Sequence, residues 1–142
     1  MTVKEILTKL VSYDVLSAQN NLALVHWIRN YIHSYGVEVT YIYNNDKTQA
    51  SLHCRIGPEV DGGVILSGHT DVVPVNGQPW NTDPFKLTEI DGKLYGRGAC
   101  DMKGYLACFL AVLPEMVKSK LKRPIYFAIS YDEEIGCLRA PE

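Results

Sequence analysis

Neither sign of charge dominates the 142 residues: 14 Lys and Arg stand against 16 Asp and Glu, a formal net charge of −2. A protein that neutralises nucleic-acid phosphates needs a basic surplus, and this chain has none. Nor does any apolar run approach the roughly 20 residues that a membrane-spanning helix requires. The opening Met1-Thr2-Val3-Lys4-Glu5 lacks the basic start, apolar core and small-residue cleavage site of a secretory signal. These absences point to a cytoplasmic protein with neither nucleic acid nor membrane as partner. Cysteine is sparse and scattered: Cys54, Cys100, Cys108 and Cys137 form no C-x-x-C pair, which argues against a zinc finger and against a disulfide framework. All four read as reduced thiols. Cys54, Cys108 and Cys137 lie among apolar neighbours, as buried fillers do, and Cys100 has no adjacent histidine motif to activate it as a nucleophile. What is present, 46% hydrophobic and 21% charged residues, suffices for one globular domain.

The order of elements follows from periodicity. Val3, Ile6, Leu7, Leu10 and Val11 recur at helical spacing, and a second helix is predicted from Ala18 to Tyr35 with Gly36 as its stop. His26 and His33 share a face of that helix but find no acidic or Cys partner to complete a metal clip. Residues 37–43 alternate and are β-branched or aromatic, and Asn44-Asn45-Asp46 turns them into a neighbouring strand over 50–56. Val64-Ile65-Leu66 reads as a core strand. Pro74, Pro79 and Pro84 around Trp80 predict a stiff surface loop. Asp91-Gly92 between two short apolar stretches predicts a type I′ hairpin. The segment from Tyr105 to Leu113 is apolar nearly all round, a buried helix that Pro114 is expected to end or kink. Ile125 to Tyr131 is a continuous apolar strand suited to a parallel sheet.

Chemistry-bearing residues cluster where these core elements end. His69 and Asp71 stand two apart at the end of Val64-Ile65-Leu66, and alternate residues of a strand face the same way. A metal-bound imidazole normally gives its second N–H to a carboxylate or carbonyl, the place Asp71 would fill. Alone, such a pair is as well explained by a polar strand end. The run Gly96-Arg97-Gly98-Ala99-Cys100-Asp101-Met102-Lys103-Gly104 is not a dinucleotide fingerprint, since Asp101 occupies the place of the third glycine. Asp101 could serve as a helix cap, and Lys103 reads as a surface or supporting charge. Asp132-Glu133-Glu134 crowds three carboxylates at the end of the second core strand, which repulsion disfavours without a cation. Two core strands ending in ligand-type residues, at the edge where open α/β sheets build their sites, set these simpler readings aside.

The three motifs, Ser67-Gly68-His69-Thr70-Asp71-Val72-Val73-Pro74, residues 96–104 and Ser130-Tyr131-Asp132-Glu133-Glu134-Ile135-Gly136-Cys137, resemble in order those of the M20 family of two-metal amidohydrolases. The resemblance implies an α/β fold, the N-terminal part of a two-metal aminopeptidase-like (phosphorylase/hydrolase-like) catalytic domain with a mixed sheet flanked by helices. It implies that His69 binds one metal, Asp101 bridges both and Glu134 binds the other, that Asp71 orients His69, and that Glu133 is the general base. The metals would be Zn²⁺ or Co²⁺, two per complete site, and the substrate a small N-acyl amino acid. A cis peptide is implied just after Asp101.

Members of that family are longer. They take a further acidic ligand and a second histidine from segments that would follow Glu142, and they dimerise through a lid domain that would also follow. Residues 1–142 are therefore expected to be part of a metal-binding catalytic domain, inactive by themselves, with uncovered apolar surface around Phe109 and Ile129. Arg139 stands where the resemblance leads one to expect a small residue. Two readings stay open: part of a metal-dependent N-acyl amino-acid hydrolase, or a non-catalytic α/β module that acts through partners.

Overall fold

The computed structural model describes residues 1–137; Arg139 and Glu142 lie outside the described residues. The first helix, α1 (Val3–Val11), is opened by a capping box: Thr2 Oγ1 accepts from the Glu5 N–H, and the Glu5 carboxylate accepts from the Thr2 N–H at 2.7 Å. It buries Ile6, Leu7, Leu10 and Val11. The second, α2 (Leu22–His33), starts four residues later than periodicity predicts. Ala18 is left-handed at φ 60°, and its N–H is drawn to the carboxylate of Asp132, so the chain turns before it can wind. Gly36 follows the helix at φ 79°, as expected of the stop.

Four strands form a mixed sheet in the order β1-β2-β6-β3, with β1 Val39–Tyr43, β2 Ala50–Ile56, β3 Val64–His69 and β6 Ile125–Ser130. Antiparallel pairing joins β1 to β2 and β2 to β6, while β3 runs parallel to β6 with Leu66 beside Phe127 and His69 beside Ser130. The hairpin β4 (Thr88–Ile90) and β5 (Lys93–Tyr95) stands apart, and its Asp91 and Gly92 both have positive φ, 50° and 72°, as a type I′ turn requires. The third helix, α3 (Lys103–Lys118), packs against α1 and β3, and α2 covers β1 and β2. The α/β class with a mixed sheet is thus as read from the sequence.

Some expectations about these elements fail. Pro114 does not end α3, which continues past it to Lys118; Leu106, Ala107, Phe109, Leu110 and Leu113 are buried on it, and that packing outweighs the single backbone bond a proline removes. Val64 and Ile65 are not core residues but 58% and 66% exposed, because β3 has β6 as its one strand neighbour among the described residues and α3 covers only its later half. Phe109 and Ile129, expected to be uncovered, are 5% and 1% exposed. The ring of Phe109 packs against that of Phe127, centroids 4.3 Å apart and planes tilted by 46°. Among the described residues no helix is long and apolar enough to cross a membrane.

Candidate metal centre

Because β3 and β6 are parallel neighbours in register, they run out on the same edge of the sheet, and the Thr70 N–H still bonds the Ser130 carbonyl at 3.0 Å. Residues 69–71 and 131–134 therefore leave the sheet side by side. The third contributor is the loop ahead of α3. A Cβ on Gly68 would lie 2.8 Å from a Leu106 methyl and 3.3 Å from the Met102 terminal methyl, so the bare glycine lets α3 close directly on the strand. That closure carries Asp101 over the His69 ring. The peptide after Asp101 is cis.

The His69 imidazole is buried and its two nitrogens face different partners. Nδ1 lies 3.0 Å from the Asp71 carbonyl and 3.3 Å from Asp71 Oδ1, oxygens that can only accept, so Nδ1 carries a proton. Nε2 lies 3.2 Å from Asp101 Oδ1 and 3.6 Å from Glu133 Oε2. Burial disfavours the charged ring, but the Asp71 carboxylate, with help from Glu133, outweighs it and raises the pKa to about 9. Burial would likewise raise the Asp71 carboxyl, yet donors from His69, Ser17 and the N–H groups of Glu133 and Glu134 hold it at about 2. Glu134 goes the other way: burial and then the charge of Asp101, with Asp71 and Glu133, push it up, against the opposing pull of His69.

One atom each of His69, Glu133 and Glu134 falls within 4.8 Å of the others, and Asp101 meets the same imidazole. A cleft of about 310 Å³ is lined by His69, Asp101 and Glu133 together with Ser67, Met102 and Ser130. The group is one imidazole nitrogen and two carboxylates, with the Asp101 carboxylate beside the same imidazole, and a divalent cation would offset the repulsion among these acids. The five residues singled out in the sequence, His69, Asp71, Asp101, Glu133 and Glu134, are brought into one cluster. Asp132 is not part of it. With φ at 58° it turns inward, and its Oδ1 accepts from the Ala18 N–H at 2.7 Å and from Gln49 Nε2 at 2.9 Å.

Sequence reasoning misplaced other neighbours. Of the two places open to Lys103, surface or supporting charge, the surface is excluded: it is fully buried, and its Nζ donates to the Tyr13 carbonyl at 2.8 Å. Burial pulls its pKa down to about 8 against the countering charges of Asp14 and Asp71. Of the cysteines only Cys54 is buried, where burial pushes its thiol up to about 11. Cys108 and Cys137 are exposed, because apolar neighbours in sequence need not cover the face a side chain occupies. Cys137 Sγ donates to Glu133 Oε1 at 3.4 Å. Ser17, whose hydroxyl lies 2.6 Å from Asp71 Oδ2, carried no sequence signal at all.

The model of peptidase family M20/M25/M40 matches residues 65–141, over half of the chain and all three motifs. The chain belongs to this family. Acetylornithine deacetylase of Pasteurella multocida (strain Pm70) is 37% identical to this M20 chain over 130 residues, 91% of the chain and 34% of that relative. Human carnosine dipeptidase 1 superposes with a TM-score of 0.83 at 27% identity over 96% of the M20 chain and 33% of its own. The M20 family metallo-carboxypeptidase Sso-CP2 from Sulfolobus solfataricus shares the fold, with a TM-score of 0.84 at 21% identity over 97% of the chain and 32% of its own. The M20 chain thus spans about a third of the length of these proteins.

Proposed function

We propose that these residues form part of the catalytic centre of a metal-dependent hydrolase that cleaves the amide bond of an N-acyl amino acid, with N-acetyl-L-ornithine, yielding L-ornithine and acetate in arginine biosynthesis, as the preferred substrate. The observation that carries the reading is that His69, Asp101 and Glu133 line one cleft, with ligand atoms of Glu134, His69 and Glu133 within 4.8 Å of one another and Asp71 behind the ring. The similarity to an acetylornithine deacetylase supports the substrate. In this proposal His69, Asp101 and Glu134 would hold the metal, Zn²⁺ or Co²⁺. When bound, the metal lowers the pKa of a water and polarises the amide carbonyl. Asp71 fixes the ring of His69 so that Nε2 faces the cleft. Glu133, whose Oε2 stands 3.6 Å from that nitrogen, takes the proton of the attacking water and returns it to the departing amine.

A complete two-metal set needs more donors than one imidazole and two carboxylates. We therefore expect the 142 residues alone to hold metal weakly and to turn over no substrate. A second reading, hydrolysis of dipeptides, is favoured by the similarity to human carnosine dipeptidase 1. The test is a pair of variants in the protein that carries this site with its full ligand set. Glu133→Gln is expected to lower kcat by roughly 10²–10⁴ with metal content unchanged, and Glu134→Gln to lose metal. Loss of metal in Glu133→Gln alone would reverse the two roles. Assay against N-acetylornithine and a dipeptide panel separates the substrates, and activity on neither leaves the non-catalytic reading standing.

A further inference from the structure

The segment between α1 and α2 belongs to no motif, yet it lies directly under the centre. Its backbone is laid against the chain leaving β3: the Val72 N–H bonds the Val15 carbonyl at 3.0 Å, the Ser17 N–H bonds the Val72 carbonyl at 3.3 Å, and Leu16 and Val72 form a parallel bridge. This register sets Ser17 beside Asp71. Its hydroxyl donates to Asp71 Oδ2 at 2.6 Å, short enough for a charge-assisted bond. The same oxygen accepts from the Glu134 N–H at 3.3 Å, while Oδ1 accepts from the Glu133 N–H at 3.2 Å and faces His69 Nδ1 at 3.3 Å. One buried carboxylate therefore faces the His69 ring, whose Nδ1 also meets the Asp71 carbonyl at 3.0 Å, and accepts from the backbone of both glutamates; Ser17 donates the shortest of its bonds.

We infer that Ser17 is a positioning residue of the centre: its hydroxyl fixes the rotation of the Asp71 carboxylate, and through it the direction of His69 Nε2 and the spacing of Glu133 and Glu134. The alternative is a serine that only stabilises a turn. The geometry favours the first, since the hydroxyl's bond is to a carboxylate 54 positions away. Without it, Asp71 Oδ2 keeps only the longer bond from Glu134, and the carboxylate is free to rotate away from Nδ1. The consequence for metal affinity rests on the function proposed above; the consequence for the ring does not.

Two measurements on Ser17→Ala and Ser17→Thr separate these. In the metal-free full chain, ring ¹⁵N and N–H resonances of His69 report the Nδ1–H bond to Asp71. They are expected to shift in Ser17→Ala and to return in Ser17→Thr, which keeps the hydroxyl. Zinc titration by calorimetry is expected to show roughly tenfold weaker binding for Ser17→Ala and near-native binding for Ser17→Thr, the loss usual for a residue that supports a ligand from behind. Unchanged His69 resonances in a folded Ser17→Ala chain would overturn the inference, even if its melting temperature fell. If Ser17→Ala does not fold, Ser17→Gly and Ser17→Cys are read by the same spectra. A wild-type chain that binds no zinc would count against the proposed function, while the ring spectra would still decide the role of Ser17.

Discussion

Gly104 is the position at which helix propensity and the structure disagree in sign, so Gly104→Ala is a direct test of how closely the loop carrying Asp101 packs on the start of α3. The residue lies in the first turn of α3, where alanine is ordinarily favoured over glycine by up to ~1 kcal/mol. A Cβ built there, however, stands 2.3 Å from the Ala99 carbonyl oxygen. An ordinary carbon–oxygen contact is more than an ångström longer, and the obstacle is backbone, which cannot rotate out of the way as a side chain would. Overpacking of this kind costs typically 1–3 kcal/mol. Set against the propensity gain, the net effect is a destabilisation of about 1–2 kcal/mol, or a fall in melting temperature of roughly 3–8 °C for a chain of this size. The strain also has a direction. Ala99 and Gly104 bracket Asp101, so the relief of the clash moves that carboxylate relative to His69 Nε2, and zinc affinity falls with stability. Thermal melts followed by circular dichroism, paired with zinc titration, read both effects. A variant that melts at or above the wild-type temperature and binds zinc normally would show that the close approach of residues 99 and 104 is not what shapes this loop.

The His69–Asp71 pair predicts a pH dependence for the metal-free chain. The ring is protonated up to about pH 9 when folded but only to about 6.5 when unfolded, so the native state binds more protons in between. Its stabilisation is complete below 6.5 and is lost as pH rises, by roughly 1–2 kcal/mol between pH 6.5 and 8. Urea unfolding should show this fall in wild type and not in His69→Gln; parallel curves would refute the pairing. Lys103 has the opposite sign, because its folded pKa of about 8 lies below the ordinary 10.5. Folding penalises its charge, and the penalty fades as pH rises. Relative to Lys103→Met, wild type should therefore gain about 2 kcal/mol between pH 8 and 10; a constant difference would mean that the ammonium is solvated.

What could be read without coordinates was what the chain specifies locally. The Asp91-Gly92 turn needs positive φ at both residues and the sequence supplies it, and His69 and Asp71 share a direction because a strand's period is two. What could not be read depends on distant partners. Ala18 looks like a helix start until Asp132, 114 positions away, captures its N–H. Lys103 looks like a surface lysine because lysine usually is one; its burial follows from the way the loop before α3 folds under Tyr13. Val64 and Ile65 have the composition of a core strand, but composition does not say which strand stands at the edge. Asp132 and Glu133 are adjacent in sequence and differ in fate because of one left-handed backbone angle.

The position of β6 in the sheet bears on how the protein comes off the ribosome. It is the last of the described strands in the chain and yet lies between β2 and β3, which make no pairing with each other. During synthesis β1 and β2 can form a hairpin early, but β2 and β3 each keep an open edge until residues 125–130 have emerged. Up to that moment β2 and β3 each present an unsatisfied strand edge, a state that invites pairing with other chains and engagement by chaperones. When β6 docks, it pairs with both strands in one event, and the same event carries Glu133 and Glu134 to His69, so the joining of β2 to β3 and the meeting of these side chains are coupled.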